Sequence, residues 1–144
     1  CNAVFFYDPL KRVIGLVHSG WRGTLGGISR EMVRKMKDCY GSSAENLITG
    51  LGPALCQDCF EVDTDVAQRF FDKDENYRNF SYQKGEKYYL DLKQIIRYDL
   101  LAEGILPEHF SDMNLCTKCH KDVFFSHRGH QGKRGIMAAA MMLR

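Results

Sequence analysis

The run His18-Ser-Gly-Trp-Arg-Gly23, directly after the apolar stretch Val13-Ile-Gly-Leu-Val17, concentrates reactive residue types at one strand end. His18 can bind a metal or move a proton near neutral pH. Gly20 and Gly23 permit backbone paths that other residues resist. Arg22 carries a fork of donors shaped for phosphate or carboxylate. Cysteines add a second source of chemistry, in two Cys-x-x-Cys elements, Cys56-Gln-Asp-Cys59 and Cys116-Thr-Lys-Cys119. Such pairs ordinarily read as a structural zinc site, but their usual separation is ~15–20 residues and this one is much longer. Cys116-Thr-Lys-Cys119-His120 also fits c-type haem attachment, which requires export. His18 and Cys59 are instead suited to hold a catalytic metal, with an open position for water or substrate. A thiolate in the set favours zinc or copper over magnesium or calcium.

These residues need elements to position them. Ala3-Val-Phe-Phe-Tyr7 and Val13–Val17 read as a hairpin turning at Asp8-Pro9-Leu10-Lys11. With Pro9 and Leu10 as the turn, Cys1 falls opposite His18, about 4.5–5.5 Å apart at Cβ. Thiol and imidazole would then meet, and a shifted loop would undo it. Thr24 to Tyr40 predicts a helix with Ile28, Met32, Met36 and Cys39 inward and Gly41 as its stop. Leu47–Leu51 predicts a buried strand. Thr64–Phe71 predicts a helix with Val66, Phe70 and Phe71 inward, and 72–87 a polar, mobile loop. Asp91 caps a helix to about Glu103, with Ile95, Ile96, Leu100 and Leu101 inward and Gly104 beyond its end. Residues 122–127 and 136–143 predict two late strands joined by the basic, glycine-rich loop Arg128–Gly135. Strands and helices mix without strict alternation, which predicts an α/β fold with a partly antiparallel sheet.

Composition sets the outer bounds. The 144 residues are 44% apolar, enough for one domain with its own core. A formal net charge of +2 with interleaved signs leaves no footprint for nucleic acid. No apolar run reaches the ~20 residues of a membrane span. Six cysteines in a chain with its own apolar periodicity point to metal binding or nucleophilic chemistry in a reducing, cytoplasmic setting. Asn2 to Phe6 opens as a strand already under way, so an N-terminal portion is expected to be missing.

His18-Ser-Gly-Trp-Arg-Gly-Thr24, Leu51-Gly-Pro53, Cys59-Phe-Glu-Val62, Tyr89-Leu-Asp-Leu92, Leu115-Cys-Thr-Lys-Cys119, Phe124-Phe-Ser-His-Arg128 and Gly135-Ile-Met-Ala-Ala139 together resemble the polyphenol oxidase, or laccase-domain, family. Its members are also described as purine nucleoside phosphorylases with adenosine deaminase side activity. The resemblance implies a layered α-β-β-α sandwich and one transition metal, usually zinc with copper as the alternative, bound by one Cys and two His. His18 and Cys59 match two of these positions. The other family histidine lies downstream of the cysteine, yet Glu61 to Tyr89 contains none. His127, His130, Asp74 and Cys1 are the substitutes. Cys1 sits where the family has the cysteine of an Ala-Asp-Cys block, so residues 1–144 are expected to be one laccase-like domain lacking its N-terminal part.

The function implied is metal-dependent phosphorolysis of adenosine or inosine, with methylthioadenosine a further candidate and adenosine deamination a side activity. His18 and Cys59 would be catalytic. Arg22 and Arg128 would clamp phosphate, and Tyr88, Tyr89 or Trp21 would stack on the base. Purine nucleoside and phosphate are the expected partners of a monomer. One rival is a metal-free Cys1–His18 hydrolase or deamidase. Another is copper-dependent phenol oxidation as a minor activity, which five scattered histidines serve poorly. The last is a non-catalytic scaffold.

Overall fold

The computed structural model describes residues 1–144. β1 (Asn2–Asp8) and β2 (Val13–Ser19) form the hairpin that the apolar runs predict. Alternation puts Asn2, Val4, Phe6 and Asp8 on the buried side of β1. The register departs from the expected one. Asp8 pairs with Val13 and Asn2 with Ser19, so the loop is Pro9–Arg12. The cause is the Asp8 carboxylate, which accepts from the amides of Leu10 (2.9 Å) and Lys11 (3.0 Å), while Arg12 adopts a left-handed φ of 53°. His18 therefore faces Ala3, and Cys1 lies past the end of the ladder.

β1 also pairs antiparallel with β3 (Ile48–Leu51), and β3 pairs parallel with β7 (Phe110–Asp112), giving the order β2-β1-β3-β7. A second, antiparallel sheet has the order β4 (Glu61–Val62), β6 (Lys87–Leu90), β5 (Ser81–Lys84). The fold is thus mixed α/β with two sheets, as the sequence predicts.

The helix expected over 24–40 begins earlier and is broken in two, α1 (Trp21–Gly26) and α2 (Ile28–Tyr40). Gly27 sits between them at φ 76°, its N–H turned back to Thr24 O and Gly23 O. On α2, Val33 and Met36 are buried while Cys39 is exposed, contrary to its expected inward place. α3 (Thr64–Lys73) and α4 (Leu92–Ala102) lie where periodicity puts them, and Asp91 accepts from Gln94 N at 3.1 Å.

The segment 72–87 is structured, not a mobile loop. A 3-10 turn over Glu75–Phe80 leads into the β5–β6 hairpin. Tyr77 anchors it, buried in the core with its hydroxyl donating to Asp99 at 2.7 Å, and the Tyr82 and Tyr89 rings stack at 4.9 Å. Neither late strand forms. After β7, residues 113–144 hold only turns and a single parallel bridge, Ala54 to Cys116. The chain is diverted by the turn that His120 N closes on Cys116 O, and the Phe125 ring packs directly on the Gly135 backbone.

Two apolar clusters fill the interior. One joins Val4, Phe6, Leu51 and Met36 to Ile96 and Leu100, and the other joins Phe60, Phe70, Phe71 and Tyr77 to Leu92 and Ile95. Helix α4 is their common wall. No helix is long and apolar enough to cross a membrane.

Candidate active site and thiol cluster

His18 is the exposed residue between buried Val17 and Ser19 at the end of β2. The turn after it is tightly pinned. Thr24 donates from both its amide (2.8 Å) and its hydroxyl (2.9 Å) to Gly20 O, the hydroxyls of Ser19 and Thr24 lie 2.9 Å apart, and Asn2 Nδ2 donates to Ser19 O at 3.3 Å. These buried polar residues fix where the imidazole emerges, a role their small polar side chains did not announce in the sequence. Despite the changed register, thiol and imidazole flank the same glycine. A Cβ placed on Gly20 would stand 3.3 Å from Cys1 Sγ and 3.7 Å from His18 Nε2. Glycine is the residue that leaves this space open.

Cys1 and His18 open onto a cavity of about 630 Å³ whose wall is mostly apolar, including Phe5, Leu16, Phe124 and Met137. Its size and lining are those of a small-molecule pocket. Residues 137–140 line it together with Leu16–His18, so the tail builds part of a cavity wall in place of a ladder.

Cys59 lies elsewhere. Its sulfur joins those of Cys56, Cys116 and Cys119, all four within 4.8 Å of one another, a group that could hold a metal ion. His18 is not in this group, and His18 and Cys59 line separate cavities, so the expected shared ligand pair is not what the structure assembles. The sulfurs are electrostatically uneven. Burial pushes the Cys116 thiol up, but the amides of Cys56 and Cys119 donate to its sulfur and win, lowering it to about 6. Cys56 and Cys59 are pushed up, first by burial and then by hydrogen bonds to neighbouring thiols.

The remaining predicted site residues divide between surfaces. Arg22 is exposed on α1, its guanidinium 4.3 Å from the centre of the Trp21 ring. Arg128 stacks on Phe60 at 4.7 Å and donates to Glu61 O at 2.5 Å. It lines a second cavity, of about 530 Å³, with Trp21, Asp58, Cys59 and Tyr89. The acids there are already engaged: Asp58 accepts from Tyr82, Glu61 accepts from Tyr89, and Asp63 is paired with Lys87. Carboxylates on this wall oppose a phosphate. Among the substitute ligands, Asp74 accepts from Asn76 N as a turn cap, His130 Nδ1 lies 3.1 Å from Ser126 O, and His127 is exposed on the tail. Cys1 is the one beside His18.

Residues 1–144 match the family described as multi-copper polyphenol oxidoreductase laccase. The chain belongs to this laccase family. Among its relatives, purine nucleoside phosphorylase YlmD of Bacillus subtilis is 37% identical over 139 residues, 95% of this chain and 50% of that protein. Adenosine deaminase RL5, from an unknown prokaryotic organism, is 30% identical over 131 residues, 89% of this chain and 50% of that protein. The crystal structure of the hypothetical protein YfiH of Bacillus licheniformis superposes with a TM-score of 0.86 at 34% identity, covering 92% of this chain and 51% of that one. The chain thus spans about half the length of these relatives. The multi-copper part of the laccase family's description has no counterpart in the donor set. The group of metal-ligand type is made of four thiols, and the histidines do not cluster.

Proposed function

We propose that the protein acts on purine nucleosides by phosphorolysis, with His18 as the proton-transfer group and the 630 Å³ cavity as the nucleoside pocket. The observation that carries this reading is the exposed imidazole and thiol, which flank Gly20 and line one apolar cavity. The names of the YlmD and RL5 relatives supply the substrate class. In the reaction an oxygen of phosphate bonds to C1′ of the ribose. The C1′–N9 bond breaks with its electron pair on the purine, and His18 hands the departing base a proton. The apolar wall excludes water, which would otherwise compete with phosphate. Arg22, exposed on the helix that follows His18 with its guanidinium over the Trp21 ring, is the residue proposed to hold phosphate. Arg128 is assigned to fastening the tail onto β4.

For the metal that the family implies, Cys1 and His18 are chemically suited to zinc, but a catalytic zinc takes three protein ligands and this cavity wall offers two. Zinc is still favoured over copper for the protein, because the four-thiol group is a typical zinc donor set.

The same proximity favours a second reading, a Cys1 nucleophile activated by His18 for deamidation or hydrolysis. Product analysis on the purified protein separates the two. Inosine with phosphate is expected to yield hypoxanthine and ribose 1-phosphate, with little base released when phosphate is left out. Cys1→Ser is expected to retain this turnover within roughly tenfold, since the thiol forms no bond to substrate. Base release indifferent to phosphate, or abolished in Cys1→Ser, contradicts the phosphorolytic reading.

A further inference from the structure

The two Cys-x-x-Cys elements belong to segments with little regular structure of their own. Cys56 and Cys59 lie between β3 and β4, and Cys116 and Cys119 open the strandless tail. We propose that Cys56, Cys59, Cys116 and Cys119 bind one zinc ion, whose role is to fasten the tail 113–144 to the body of the protein.

The geometry already has the form of such a site. Zinc–thiolate bonds of ~2.3 Å in a tetrahedron put the sulfurs about 3.8 Å apart. Cys59 Sγ and Cys119 Sγ are 3.6 Å apart, and all four sulfurs fall within 4.8 Å. A disulfide would need ~2.05 Å. Each element is folded back into a turn that lets both its sulfurs face the same point. Cys59 N donates to Cys56 O at 3.1 Å, and His120 N donates to Cys116 O at 3.0 Å. Two amides also donate to Cys116 Sγ, from Cys56 at 3.4 Å and Cys119 at 3.5 Å. Donors aimed at sulfur are the outer partners that a metal thiolate uses. The Ala54–Cys116 bridge, with Ala54 N to Leu115 O and Thr117 N to Ala54 O, holds the two segments side by side. Four thiolates around a dication leave a double negative charge. Lys118 inside the second turn, and Arg128 on the Glu61 carbonyl, place positive charge next to it.

The consequence reaches the other cavity. Phe124 and residues 137–140, which wall the His18 pocket, are downstream of the fastening point. With few backbone bonds to the sheets, the tail depends on this clasp for its position.

The test measures zinc per chain, after dialysis, in the purified wild type, His18→Ala and Cys119→Ser. Cys119 is exposed, so its serine variant keeps the fold, which circular dichroism verifies. One zinc per chain is expected in the wild type and in His18→Ala, with affinity roughly tenfold or more weaker in Cys119→Ser. Cobalt in place of zinc is expected to show thiolate-to-metal charge-transfer bands that Cys119→Ser weakens. Limited proteolysis is expected to cut the tail faster once chelator has removed the zinc. Zinc retained undiminished in Cys119→Ser, zinc lost in His18→Ala alone, or a protein mass lower by the hydrogens of a disulfide would each overturn the proposal.

Discussion

His18 owes its position to its neighbours' restraint. Ser19, Thr24 and Asn2 tie down the turn beneath it, and Gly20 omits the side chain that would fill the space toward Cys1. The hairpin loop that sets this geometry depends on Asp8. Burial raises its carboxyl, but the amides of Lys11 and Leu10 that donate to it outweigh that and hold it below the usual carboxylate range. A lowered native value means that the unfolded chain binds the proton more readily. Asp8 thus stabilises fully above pH ~4, and this contribution fades as pH falls through its native value. Asp8→Ala is expected to cost about 1–3 kcal/mol at pH 7, for the lost acceptor of two amides. Urea denaturation across pH should show the gap closing below pH 4; a gap that widens there contradicts this account of the loop.

At the scale of elements, Gly27 decides whether the chain after His18 is one helix or two. Its φ of 76° lies in the left-handed region, and a Cβ there would meet only Lys73 Nζ at 3.6 Å, an ordinary contact. Gly27→Ala should therefore be destabilising by about 1–2 kcal/mol through backbone strain alone. A variant more stable than wild type in the same urea measurement would mean that α1 and α2 merge, as the sequence periodicity predicts. That periodicity reads apolar stripes well, which is why α2, α3, α4 and the first hairpin are legible in the sequence. It is blind to single polar contacts. The Asp8 loop altered the register, Tyr77 reaching Asp99 ordered a segment that reads as loop, and Gly27 broke a continuous stripe. The thiol cluster escaped for a related reason. Cys56 and Cys116 are 60 residues apart, and separation along the chain says nothing of the Ala54–Cys116 bridge that joins them. The His18 block was legible because strand, turn and reactive residues adjoin in sequence. Cys1 was expected opposite His18, but the structure pairs His18 with Ala3 and leaves Cys1 beyond the ladder, near the same Gly20.

Over the whole molecule, the two chemical centres divide the labour. Imidazole and thiol line one apolar cavity, and the four sulfurs gather where the segment that contributes to that cavity's wall begins. The second cavity, with its acids already paired to tyrosines and Lys87, binds the tail through Arg128. The most direct test of this arrangement is the phosphate-dependent release of hypoxanthine from inosine by the purified wild type and by His18→Ala, both confirmed folded. Loss of a positioned proton donor predicts a fall in kcat of about 100-fold or more, with KM changed little. Equal turnover in the two proteins would contradict the placement of the reaction at His18.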